Sequence, residues 1–260
     1  GFEVNKTIEG FKVTPPSYRF DIAIEEDLIE EVVRLYGYDK IPSHHPISHQ
    51  AMLPASGACQ RDLKEVLTSR GFYEVVTYSF IEDEIEKALH GNLNPIQLQN
   101  PIASQMSTMR SSLWGSHLEV LTYNLNRQVS RLNIFEIAQT FQGAKKDFIE
   151  TEVISGLSYG SFLPEQWADK IREIDFYDMK AHVEALTSKS LTFKRSDKTP
   201  LALHPGQSAE VFLEGQSIGW VGKLHPKWQQ YFSLPKAPFI FELKIEKLLE
   251  DKAFKYEDIS

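Results

Sequence analysis

The chain has 260 residues, 42% of them apolar and 25% charged, with a net charge of −8. That length holds one large domain, or one with a smaller companion, and the acidic balance excludes a surface built throughout for nucleic-acid phosphates while leaving room for a local basic patch. A single cysteine, Cys59, excludes an internal disulfide; no apolar run is long enough to span a bilayer, and the opening Gly1-Phe2-Glu3-Val4 lacks a signal-peptide layout, so a cytoplasmic protein without membrane contact is expected.

Residues 11–14 alternate as a strand and stop at Pro15-Pro16. Residues 18–42 follow as the most informative stretch. Leu28, Val32 and Leu35 recur at helical spacing with Ile29, Val33 and Tyr36 beside them, which predicts a helix with one broad apolar face packed on a core. Glu25 and Glu26 stand in the first turn, where the helix dipole favours anions. Gly37 is placed for a left-handed stop, and Pro42 bars a restart. The opposite face carries Asp27, Glu30, Glu31 and Arg34, and Asp21 is near enough in sequence to fold over the helix start. Carboxylates three and four residues apart repel by roughly 0.2–0.5 kcal/mol per pair. From the residues alone two readings stay open: a solvated acidic face with Arg34 as counter-charge, or a site for a hard cation such as Mg²⁺, which takes oxygen ligands.

Residues 43–50 hold His44, His45 and His49 but no periodicity, and they read as a linker. The expected division is a first unit at 1–43, a linker at 44–56, a large domain at 57–250 and a tail at 251–260. In the large domain, helices are predicted over 57–70, 83–90, 112–127, 176–188 and 226–232. Strands are predicted over 72–80, 96–99, 132–141, 153–159, 191–194, 209–213, 217–224 and 238–245, with Glu214-Gly215-Gln216 as a hairpin turn. This pattern predicts an α+β domain: an antiparallel sheet with helices on one side. Common nucleotide-binding, hydrolase and metalloprotease signatures are absent. Cys59 has no cue for a nucleophile and is expected to be a small buried residue. His204 and His225 each precede a proline at a turn, where a structural role is expected.

Residues 21–42, from Asp21-Ile22-Ala23-Ile24-Glu25-Glu26-Asp27 to Ile41-Pro42, resemble the B5 domain of the bacterial phenylalanyl-tRNA synthetase beta subunit. Further stretches match in that family's order: Met109-Arg110-Ser111-Ser112-Leu113, Asn124-Leu125-Asn126-Arg127, Asn133-Ile134-Phe135-Glu136-Ile137, Asp175-Phe176-Tyr177-Asp178-Met179-Lys180, His204-Pro205-Gly206-Gln207-Ser208-Ala209 and Gly219-Trp220-Val221-Gly222-Lys223-Leu224-His225-Pro226. Lys180-Ala181-His182 departs from the usual Lys-Gly. The resemblance implies the C-terminal part of a winged-helix-like B5 domain, then a class II synthetase-like domain. It also implies that Asp21, Asp27, Glu30 and Glu31 bind Mg²⁺.

Active class II domains hold the ATP α-phosphate with an arginine in a Phe-Arg-x-Glu pattern, because a guanidinium stabilises charge on the transferring group. The matching stretch here is Phe141-Gln142-Gly143-Ala144, which supplies neither arginine nor carboxylate. The region of the glycine-rich third motif reads Phe239-Ile240-Phe241-Glu242-Leu243-Lys244, without glycine or arginine, and Tyr78 stands where the first motif usually ends in proline. The resemblance therefore implies a chain with no catalytic residues of its own. Its role would be assembly with a catalytic alpha subunit and placement of tRNA(Phe), in a heterotetramer of two alpha and two beta chains that attaches phenylalanine using ATP. Arg110, Asn124, Asn126 and Arg127 are expected to serve subunit contacts or internal hydrogen bonds. The alternative is a winged-helix nucleic-acid-binding module with no synthetase role; the acidic helix opposes it, since phosphate contacts need positive partners.

Overall fold

The computed structural model describes residues 1–43, 59–144, 147–168 and 170–249. It forms two compact units, Gly1–Pro54 and Ala55–Ser260. The expected linker histidines and the tail lie outside the described residues.

In the first unit, strands β1 (Glu3–Lys6) and β2 (Phe11–Thr14) pair antiparallel and precede helix α1 (Glu25–Tyr36). The helix begins where predicted because Asp27 reaches back to it. One carboxylate oxygen of Asp27 accepts the N–H groups of Ala23 at 2.7 Å and Ile24 at 2.9 Å, satisfying donors that a helix start leaves unpaired. Gly37 ends the helix at φ +108°, and its N–H donates to the Val33 carbonyl. The apolar face does not pack on a core. No residue of α1 is buried; Leu28 and Val33 are half-buried, while Ile29, Val32 and Leu35 are exposed.

The second unit is built on seven strands. In chain order its elements are α2 (Gln60–Ser69), β3 (Tyr73–Glu74), β4 (Phe80–Ile81), α3 (Asp83–His90), β5 (Thr108–Met109), α4 (Trp114–Leu125), β6 (Leu132–Ala144), β7 (Asp147–Tyr159), α5 (Phe176–Glu184), β8 (Leu191–Lys194), β9 (Leu203–Leu213), β10 (Gln216–Leu224), α6 (Pro226–Tyr231), β11 (Phe239–Lys244) and α7 (Ile245–Leu249). The sheet order is β3-β6-β7-β11-β10-β9-β8, antiparallel except where β3 runs parallel to β6. A separate pair joins β4 and β5.

Several expectations are corrected. The strand predicted over 72–80 is two short pieces, since Thr77 turns away to bond Glu136 instead of continuing a ladder. The strand predicted over 96–99 is reduced to one bridge, Gln97 to Thr108. The strand expected at 153–159 starts earlier, at Asp147, and pairs along its whole length with β6. Cys59 is exposed just before α2, not buried.

Helices lie on both faces of the sheet, not one. Leu63 and Leu67 of α2 and Met179 and Val183 of α5 pack with Phe135, Ile154, Phe241 and Leu243. Ile85 and Leu89 of α3, Leu118 and Leu121 of α4 and Trp228 of α6 pack with Ile134, Leu157 and Ile240. Adjacent strand residues such as Ile134 and Phe135, or Ile240 and Phe241, point to opposite faces. Both are buried, so the central strands are apolar on both sides.

Gly156 of β7 is required by one close approach. A Cβ there would stand 2.4 Å from Phe241 Cε1 and 2.8 Å from its Cζ. Gly156→Ala is expected to destabilise the second unit by about 1–3 kcal/mol, because the ring has no room to withdraw. A lower urea midpoint at unchanged slope checks this.

Candidate functional site

The sheet face under α3 and α4 carries a buried ionic cluster with an open cleft beside it. Arg110 follows β5 and is 1% exposed; Glu136 of β6 is 3% exposed. Charges so placed must be matched by hydrogen bonds, since desolvation costs several kcal/mol per ion. Arg110 Nη1 donates to Thr77 Oγ1 at 2.6 Å and to the Tyr78 carbonyl at 3.0 Å, and Nε donates to the Gln139 carbonyl at 3.3 Å. Nη2 reaches Glu136 Oε1 at 3.4 Å. Glu136 also accepts from Thr77 Oγ1 at 2.7 Å and from the Thr77 N–H at 3.1 Å. His117 of α4 completes the group, with Nε2 3.7 Å from Glu136.

Burial pushes the Glu136 carboxyl upward, but the nearby His117 imidazole, the hydrogen bonds from Thr77 and the Arg110 charge outweigh it and hold it below its ordinary range. Burial likewise lowers the His117 imidazole, against the opposite pull of Glu136. The internal hydrogen-bond role expected for Arg110 is realised. Asn124 bonds the Val120 carbonyl of its own helix, and Arg127 stacks on Tyr123 at 3.4 Å.

The cleft has a volume of about 330 Å³, and Trp114, Thr140, Gln142, Thr151, Trp220 and Glu242 are among its lining residues. Gln142 sits on β6 opposite Ile149, so the position expected for a phosphate-holding arginine carries an amide. Among the described residues no arginine lines the cleft; its cation is Lys244. Its acid is Glu242 of β11. Oε2 accepts the Leu113 N–H at 2.7 Å and Ser112 Oγ at 2.9 Å, tying the sheet to the start of α4. Burial drives the Glu242 carboxyl up to about 7, against these two bonds and Arg110, with the charge of Glu86 adding to the rise.

Neither Glu242 nor the cluster's Thr77 and His117 was singled out as functional from sequence. A usable signal was present: Glu136 in Asn133-Ile134-Phe135-Glu136-Ile137 and Glu242 in Phe239-Ile240-Phe241-Glu242-Leu243 each place a carboxylate inside an apolar strand, where it needs partners.

The four carboxylates expected to hold Mg²⁺ lie in the first unit, on and before α1. Asp21 takes a two-pronged contact from Arg19, with Nε at 2.9 Å and Nη2 at 2.7 Å. Glu31 is held between Arg19 at 2.7 Å and Arg34 at 2.6 Å. Asp27 is occupied on one oxygen by the helix start. Glu30 is exposed, with no hydrogen bond or ion pair among the described residues. The Arg19 bond lowers Asp21, the Ile24 and Ala23 amides lower Asp27, and the bonds from Arg19 and Arg34 lower Glu31. Among the described residues no group of three or more His, Cys, Asp or Glu is gathered as for a metal ion. The donor chemistry suits a hard cation. Glu30 and the second oxygen of Asp27 are open to one, whereas Asp21 and Glu31 are neutralised by arginine.

The second unit's architecture is that of class II aminoacyl-tRNA synthetases. Two solved pyrrolysyl-tRNA synthetase structures from Desulfitobacterium hafniense superpose with TM-scores of 0.52 and 0.51, at 16% and 14% identity, each over 73% of this chain and 66% of the other. More narrowly, residues 41–245 match the phenylalanyl tRNA synthetase beta chain CLM domain, and residues 1–38 match the tRNA synthetase B5 domain. Phenylalanine–tRNA ligase beta subunits are 44% identical in Neisseria meningitidis serogroup B, over 100% of this chain, and 42% identical in Ralstonia nicotianae, over 92%. The chain belongs to the phenylalanine–tRNA ligase beta-subunit family. It spans about a third of the length of these relatives, 33% and 31%. Among the described residues no helix is long and apolar enough to cross a membrane.

The raised Glu242 carboxyl makes stability depend on pH. The folded chain keeps this proton up to about 7, whereas the unfolded chain releases it near the ordinary 4.5. Stability is therefore lost as pH rises from 4.5 through 7. Glu242→Gln keeps an acceptor for Ser112 and Leu113 without the charge. Its melting temperature relative to wild type is expected to climb between pH 5 and pH 8, by the equivalent of roughly 2 kcal/mol. Parallel curves for the two proteins would contradict this.

Proposed function

We propose that this chain is a non-catalytic supporting part of a phenylalanine–tRNA ligase, working with a catalytic alpha subunit in an assembly of two alpha and two beta chains that joins phenylalanine to tRNA(Phe) with ATP. One observation carries the non-catalytic reading. Among the described residues, the cleft of its synthetase-like sheet is lined by Gln142, Glu242 and Lys244 and by no arginine. Arg110, nearby, is committed to Glu136, Thr77 and two carbonyls beneath the sheet. Among the described lining residues the cation is Lys244 and not an arginine, so the cleft lacks the two-pronged guanidinium that stabilises charge developing in adenylate formation. The assembly reading is supported by β3, a two-residue edge strand, and by exposed Tyr73, Val76 and Tyr78 beside it, which offer an apolar surface to a partner.

The chain is expected to show no phenylalanine-dependent ATP–pyrophosphate exchange alone and to support aminoacylation once the alpha subunit is added. Exchange by the isolated chain would end the non-catalytic reading, and failure to bind the alpha subunit would end the assembly reading.

The acidic face of α1 is proposed to take Mg²⁺ through Glu30 and Asp27, with Asp21 and Glu31 joining as Arg19 and Arg34 release them. Mg²⁺ is expected to raise the melting temperature of wild-type protein by a few degrees at about 100 times its Kd, and not to raise that of Asp27→Asn. Asparagine still accepts the Ala23 and Ile24 amides, so the helix start survives. Equal shifts in the two proteins would leave only a solvated acidic face.

A further inference from the structure

His204 lies not at a turn but in β9, which starts at Leu203 and not at 209, where the pairing register with β10 shifts; His225 caps the start of α6. The Gly206 N–H donates to His204 Nδ1 at 3.0 Å, and the Lys227 N–H donates to His225 Nδ1 at 3.1 Å. A main-chain N–H can only donate. Each Nδ1 must therefore present its lone pair, and each neutral ring carries its proton on Nε2. The two rings lie side by side, their centroids 6.3 Å apart and their planes 34° apart. Neither Nε2 is buried without a partner, and neither has a hydrogen bond among the described residues. The result is a pair of N–H donors, fixed in tautomer by the backbone and open to an acceptor. Because those Nε2 atoms bear protons, the pair is unsuited to a metal and suited to an anion.

The surroundings have the matching charge. His225 and Lys227 line a cleft of about 290 Å³ whose other walls include Pro200, Leu201, Pro205 and Trp228. Among the described residues no carboxylate lines it. The Lys227 ammonium lies over the Trp228 ring, 4.8 Å from its centroid. The Trp228 indole is held in place by its bond to the Leu201 carbonyl at 2.9 Å, so the apolar wall is rigid.

We propose that His204, His225 and Lys227 form a binding site for a phosphate group, with the adjoining apolar cleft receiving the body that carries it. Three donors of this kind match the several oxygens of a tetrahedral phosphate better than the two of a carboxylate. A small phosphate monoester and a nucleic-acid backbone present the same chemistry. The first would also fill the cleft; the second would rest at its rim.

The test uses ¹⁵N-labelled full chain and follows the imidazole Nε2 resonances as phenyl phosphate, dimethyl phosphate or benzoate is added. The informative variant is His204→Asn with His225→Asn. Asparagine Oδ1 takes the place of Nδ1 as acceptor for the Gly206 and Lys227 amides, as in an Asx-turn, but offers nothing at Nε2. The bonds from the Gly206 and Lys227 amides are kept and the donors removed, and unchanged melting temperature confirms it. Saturable shifts of both Nε2 resonances with a phosphate ester, little response to benzoate, and affinity at least about tenfold weaker in the double variant by calorimetry are expected. Tighter binding of phenyl phosphate assigns the site to a small monoester; tighter binding of dimethyl phosphate assigns it to a nucleic-acid backbone. The proposal is overturned if neither phosphate moves the resonances, if benzoate binds equally well, or if the folded double variant binds as tightly as wild type.

Discussion

The large unit depends on one buried ion pair. Arg110 and Glu136 are both removed from water, and neither tolerates an unmatched state, because a lone buried charge costs several kcal/mol. Their hydrogen-bond partners are drawn from two places in the chain, Thr77 and Tyr78 after β3 and Gln139 on β6, and His117 of α4 stands beside Glu136. Satisfying the pair fixes the path of the segment between β3 and β4, since Thr77 must turn inward to bridge guanidinium and carboxylate. It also fixes how α4 sits on the sheet. Hydrophobic burial supplies most of the stability of such a domain but is non-directional; the ion pair, with its many oriented bonds, selects a single arrangement.

Glu242 performs a related task with an opposite electrostatic outcome. It holds the start of α4 against β11 through Ser112 and Leu113. It has no cation as close as Glu136 has, so burial prevails and its carboxyl rises, whereas that of Glu136 falls. Two glutamates on one sheet face thus differ in charge near neutrality because their partners differ. Glu242 lines a cleft that holds Lys244 but, among the described residues, no arginine, which is why a supporting role fits the geometry better than adenylate chemistry.

The acidic helix shows another balance. Charge counting sets several carboxylates against Arg34, but Arg19, outside the helix, lies between Asp21 and Glu31 and relieves much of the repulsion. Arg19 belongs to the stretch from which the acidic pattern was read, yet its reach across twelve residues to Glu31 depends on how the chain folds back before α1. The apolar stripe on the other face was correctly periodic, but periodicity reports a face and not what covers it: Val32 and Leu35 are exposed.

Local chemistry made much of this protein legible in advance. Periodicity and stop residues placed α1, α3 and the hairpin of β9 and β10, and the ordered motifs together with Gln142 pointed to the family and to a phosphate-holding arginine that is missing. Such features are encoded within a few neighbouring residues. The folded chain was needed for everything that depends on distant pairing. Helices cover both sheet faces, which the adjacent apolar residues Ile134-Phe135 and Ile240-Phe241 hint at but short apolar runs cannot distinguish from a helix. The strand expected at 72–80 breaks because Thr77 answers Glu136, 59 residues away. The polarity of His204 and His225 is set by which main-chain amide meets each ring, a matter of ångströms that residue order does not specify.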